Sequence, residues 1–168
     1  MPTPTPNQVP QGFNRYPTRE QIELAMPLYE PSQDLQQALD VWRREGRGTP
    51  LTHERLQDLV RRLWIFTTAR EKPAPQVVVS SVTGNNEYCY MPATNTINLG
   101  MKPSIISTLH EMAHAVYGIE ELPACAFSIA LFKAVYPRSF AKLEWKGHML
   151  VKPGMSSTPI TSMEAYPT

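Results

Sequence analysis

The chain has 168 residues, enough for one compact domain and little more. Hydrophobic residues make up 42% and charged residues 18%, a balance that fits a folded globular chain and excludes a wholly disordered one. The formal net charge of +1 gives no overall bias toward nucleic acid or anionic lipid, and no apolar run approaches the roughly 18 residues of a bilayer span.

The prolines matter for where they fall. Residues 1–17 hold Pro2, Pro4, Pro6, Pro10 and Pro17 among polar residues, and are expected to form a disordered arm. Residues 151–168, with Pro153, Pro167 and the run Ser156-Ser157-Thr158, are expected to be a flexible tail. A single domain is then predicted over 18–150. The first residues lack the basic segment and apolar core of a secretory signal, so a cytoplasmic protein is expected.

Residues 32–45 carry Leu35, Ala38, Leu39 and Trp42 at helical spacing, with Ser32 as a cap and Gly46 as a stop. A second helix is predicted from Thr52 to about Arg70, its buried stripe being Leu56, Leu59, Val60, Leu63, Trp64 and Thr67. Arg55, Arg61, Arg62 and Arg70 alternate with Glu54, Asp58 and Glu71, which reads as a solvated face and makes nucleic acid an unexpected partner.

After Pro73 and Pro75 the pattern shortens. Residues 76–82 are β-branched and read as a buried strand, Gly84-Asn85-Asn86 as a turn, 87–91 as an edge or bent strand, and 96–99 as a third strand. Ser104 caps and Gly118 ends a third helix; Pro123 opens a fourth that runs to about Val135 before Pro137. Helices, a small sheet and helices again define an α+β domain. Cys89 and Cys125 have no CxxC spacing and read as reduced thiols.

The third helix carries the chemistry. Two of the four histidines flank a glutamate in His110-Glu111-Met112-Ala113-His114, a match that chance composition would supply only about 0.007 times. Residues four apart on a helix lie about 40° from each other and one turn along, so His110 and His114 can direct both imidazoles at one Zn²⁺. Glu111 is rotated by about 100° from His110, which places it beside such a site as a proton acceptor. Ile105, Leu109, Met112, Ala113 and Val116 form the stripe that buries this helix. A catalytic zinc needs a third protein ligand and an open position for water. Glu121, Glu120 and His148 are the candidates.

These residues resemble the minimal zincin metallopeptidases, most closely the ImmA/IrrE-type group. The resemblance rests on Thr96-Ile97-Asn98-Leu99, on the HExxH helix and on Glu121-Leu122-Pro123-Ala124-Cys125-Ala126-Phe127, and spans about residues 76–136. In that pattern a strand precedes the HExxH helix, and a later helix opens with an E-x-x-A-x-x-F-like segment. The resemblance implies a zinc metallopeptidase of gluzincin type, with His110, His114 and Glu121 as ligands and Glu111 as general base. The metzincin spacing would instead select Glu120, and the SprT-like pattern a later histidine, for which His148 is available.

The expected reaction is hydrolysis of peptide bonds in a peptide or protein substrate, the metal-bound water being activated by Glu111. Tyr117, Tyr136 or His148 is expected to face the developing oxyanion. An extended substrate is expected to add beside the strand edge near residues 88–98. The competing reading is a zincin-scaffold regulatory or protein-binding module with little or no catalysis. No membrane partner is expected, and oligomeric state is left open.

Overall fold

The computed structural model describes residues 16–80 and 88–153. Among the described residues, six α-helices, a three-stranded sheet and a two-stranded hairpin make an α+β fold, as the sequence predicts. The positions read as arms lie largely outside the described residues, as does the Gly84-Asn85-Asn86 turn. Tyr16, Pro17 and Val151 belong to the fold instead: Pro17 is buried, the Tyr16 ring stacks on His148, and Val151 is a buried strand residue.

Helix α1 (Arg19–Ala25) starts at a reciprocal cap, in which the Gln21 amide donates to the Thr18 hydroxyl and the Thr18 amide to the Gln21 side chain. Helices α2 (Gln33–Glu45) and α3 (His53–Trp64) begin at Ser32 and Thr52, whose hydroxyls accept from Leu35 and Arg55. Their buried stripes, Leu35-Leu39-Trp42 and Leu56-Leu59-Val60-Leu63, face one core.

Two expectations change here. Helix α3 stops at Trp64, six residues short, because Phe66 and Thr67 bond back three residues and the Thr67 hydroxyl donates to the Trp64 carbonyl. Thr67 is still buried, which extended the apolar pattern past the helix. Arg55, read as part of a solvated face, lies 3.9 Å over the Trp42 ring and donates to the Trp42 carbonyl, while the indole donates to the Arg55 carbonyl.

The sheet has the order β1 (Gln76–Val79), β3 (Thr96–Leu99), β2 (Cys89–Met91), with β3 parallel to β1 and antiparallel to β2. The outer side of β1 is closed by α3. There the Val77 amide donates to Gln57, and the Val77 carbonyl accepts from His53 at 2.6 Å. The outer side of β2 pairs with no described strand, in line with its reading as an edge.

Helix α4 (Ile105–Tyr117) starts at a Ser104–Ser107 capping box and ends at Gly118. Ile106, Leu109 and Met112 bury it in the core that also holds Val77, Ile97 and Leu99. Helix α5 (Glu121–Val135) is apolar around most of its circumference because it packs against α4 on one side and α1 and α2 on others. A short α6 (Pro137–Ala141) leads into the hairpin β4 (Glu144–Lys146) and β5 (Met149–Val151), which the sequence reading did not predict. Its two-residue turn is Gly147-His148, with Gly147 at φ 62°, the left-handed conformation such turns demand.

Candidate metal centre

The centre is built from two pairs of residues, each one helical turn apart. On α4, His110 and His114 hold their rings with centroids 4.9 Å apart and planes 80° from parallel. On α5, Glu121 and Cys125 are likewise four residues apart and so share a face. Gly118, at φ 102°, turns the chain so that Glu121 returns beside the helix it has just left.

The Glu121 carboxylate meets both rings. Its Oε1 lies 3.0 Å from His110 Nε2 and its Oε2 3.1 Å from His114 Nε2. On the far side of its ring, His114 Nδ1 lies 2.8 Å from the Gly118 carbonyl oxygen, which can only accept. Nδ1 therefore carries a hydrogen, and Nε2 turns toward the carboxylate. A neutral imidazole in that tautomer would set a lone pair against an oxygen lone pair. The arrangement requires a hydrogen between ring and carboxylate or a cation among the donors.

Burial sharpens that requirement. His110 is fully buried and Glu111 nearly so. Burial pulls the His110 imidazole down, but Cys125, Glu121 and Glu111 together hold it well above its ordinary value. Burial pushes the Glu121 carboxyl up, and the hydrogen bonds and charges of His110 and His114 outweigh it, holding the acid well below the usual range. Among the described residues, His110, Glu121 and Cys125 have donor atoms all within 4.8 Å of one another and could hold a metal ion. His114 reaches the same carboxylate through its second oxygen.

The remaining candidates separate clearly. Glu120 is exposed at the N-cap of α5, makes no side-chain cap and stands outside the cluster. Tyr117 packs edge-on against Tyr29 and tilted on Phe127. Tyr136 lies at the opposite end of α5 from Glu121, stacked on Phe132 with Arg43 over its ring, so it cannot serve this centre.

His148 is at the hairpin turn, buried, and its Nε2 has no hydrogen-bond partner among the described residues. Burial, reinforced by the His110 charge, brings its pKa down to about 4. Tyr16 covers it with ring centroids 3.9 Å apart, and the two border an open cleft of about 450 Å³ with Trp145 and Gly147. Burial raises the Tyr16 phenol, and Glu121, Cys125 and Glu111 push it the same way against His110.

Sequence reasoning missed Tyr16, which falls in a proline-rich stretch, and Cys125, read only as a reduced thiol. The position of Cys125 four residues after Glu121 was the available signal. No protein-family model matches the chain, and neither does any curated protein or solved structure.

Proposed function

We propose that this chain is a zinc-dependent hydrolase of peptide bonds, with His110, His114 and Glu121 as the residues that would hold the ion. The observation that carries the reading is the meeting of two imidazoles from one helix with both oxygens of a single carboxylate from the next. Two ring nitrogens and a carboxylate suit Zn²⁺ and leave a position open for water. When bound, zinc supplies Lewis-acid polarisation of the scissile carbonyl and a more acidic water.

The chain's own residues supply the rest. Glu111, next to His110 on α4 and about 100° around the helix, accepts the proton of the attacking water and passes it to the leaving amine. His148, kept neutral by its burial, is the group assigned to the developing oxyanion. An extended peptide adds at the outer side of β2, since His53 and Gln57 already close β1.

No helix among the described residues is long and apolar enough to cross a membrane. Both cysteines are free thiols, which favours a reducing compartment such as the cytoplasm.

The test is Glu111→Gln, assayed for bound zinc and for cleavage of an unstructured protein such as casein. Stoichiometric zinc with hydrolysis reduced by about 100-fold or more is expected. A variant that cleaves as fast as the parent would remove Glu111 as the general base. Absence of cleavage by the zinc-loaded parent would remove the hydrolase reading.

A further inference from the structure

His110 has two ring nitrogens and no contact with solvent. Its Nε2 is committed to Glu121, and its Nδ1 is buried without a hydrogen-bond partner among the described residues. The equivalent atom of His114 is served by the Gly118 carbonyl. A metal-binding histidine needs a partner on its far nitrogen, because that partner fixes the tautomer and the plane of the ring. The two histidines are thus unequally supported by the backbone.

The candidate for that need is Cys125. It is fully buried, shares the Glu121 face of α5, and has its sulfur within 4.8 Å of a His110 ring nitrogen and of a Glu121 oxygen. The compact group is His110, Glu121 and Cys125, with His114 approaching the carboxylate from its other oxygen, so the thiol joins the centre on the His110 side.

We propose that Cys125 is a positioning residue, whose sulfur takes up the His110 Nδ1–H, unpartnered among the described residues, when the centre is loaded and thereby presents Nε2 to the metal. The inference rests on the metal centre proposed above. It assigns Cys125 a role other than fourth ligand. Four protein donors would close the coordination sphere and make the site purely structural. The interaction is mutual: burial raises the Cys125 thiol, and His110 draws it back. A sulfur is a weak acceptor, so the support it gives is softer than a carboxylate or carbonyl would give.

The experiment is a Co²⁺ titration of the full chain, followed by absorbance, with Cys125→Ala and Cys125→Ser alongside. The parent is expected to bind one Co²⁺ with visible ligand-field bands and no sulfur-to-cobalt charge-transfer band. Cys125→Ala should weaken binding by roughly 10–100-fold, and Cys125→Ser, which keeps an acceptor, should recover most of it. A charge-transfer band that depends on Cys125 would overturn the proposal by making the thiol a ligand; so would unchanged affinity in Cys125→Ala.

A measurement on the parent alone guards against variants that fold poorly. The long-range ¹H–¹⁵N spectrum of the zinc-loaded chain should show His110 protonated at Nδ1. The opposite tautomer refutes the idea. Failure of the parent to bind Co²⁺ at all would instead remove the metal centre itself.

Discussion

Tyr16 lies flat on His148, their ring planes only 7° from parallel, although 132 positions separate them in the chain. The stack closes one face of an imidazole that is otherwise buried by the hairpin it caps. Because burial is the main cause of the depressed His148 pKa, removing the cover must move it upward. Tyr16→Ala is expected to raise the His148 pKa from about 4 by roughly a unit or more, read from its ring protons by NMR titration. Tyr16→Phe keeps the ring and should leave the value near the parent's. Equal titration curves in all three proteins would show that the stack does not persist in solution.

The same histidine makes stability depend on pH in a definite direction. Its folded pKa of about 4 lies below the ordinary 6.5, so between these values the unfolded chain binds more protons than the folded one. Its contribution is therefore intact above pH 6.5 and is lost as pH falls toward 4. His148→Gln, which cannot titrate, should flatten the urea-denaturation stability profile in that window by on the order of 2 kcal/mol relative to the parent. Parallel profiles for the two proteins would contradict the burial assigned to this ring.

Ligand choice is separable by substitution. His110→Ala, His114→Ala and Glu121→Ala should each weaken zinc binding by more than the roughly 10–100-fold that loss of a supporting group costs. Glu120→Ala should leave zinc content unchanged, since that carboxylate is exposed outside the cluster. Metal analysis after dialysis against a weak chelator reads all four. Full zinc retention in Glu121→Ala, or loss in Glu120→Ala, would reassign the third ligand.

Local signals carried much of this fold. Ser32, Thr52 and Ser104 announce three helices because a cap and an apolar period act within a few residues of each other. The pair His110 and His114 was legible for the same reason, its geometry being set by one helix. What stayed hidden depends on partners distant in sequence. Helix α1 buries only Ile22 and Ala25, too few positions to display a period. Arg55 looked solvated until Trp42 came to lie under it. The choice between Glu120 and Glu121 turns on where α5 begins, and helix boundaries are the least determined feature of a local pattern. Gly147-His148, between Glu144-Trp145-Lys146 and the apolar run Met149-Leu150-Val151, was a readable hairpin turn that the sequence reading passed over.

Gly118 joins the two halves of the centre through its backbone alone. Its carbonyl accepts from His114 Nδ1, and its φ of 102° with ψ of −166° turns the chain into Glu121 three residues later. That conformation is open almost only to glycine, whereas a methyl group placed there would meet nothing within 4 Å. Gly118→Ala should thus act through backbone strain without a steric clash, costing about 1–3 kcal/mol of stability. Relief of the strain would rotate the 118 carbonyl and shift Glu121, so zinc affinity should fall along with the thermal midpoint. Ile119→Ala, at an exposed neighbour, is the control and should change neither. If Gly118→Ala melts with the parent and holds zinc as tightly, the turn does not set the distance between the imidazoles and their carboxylate.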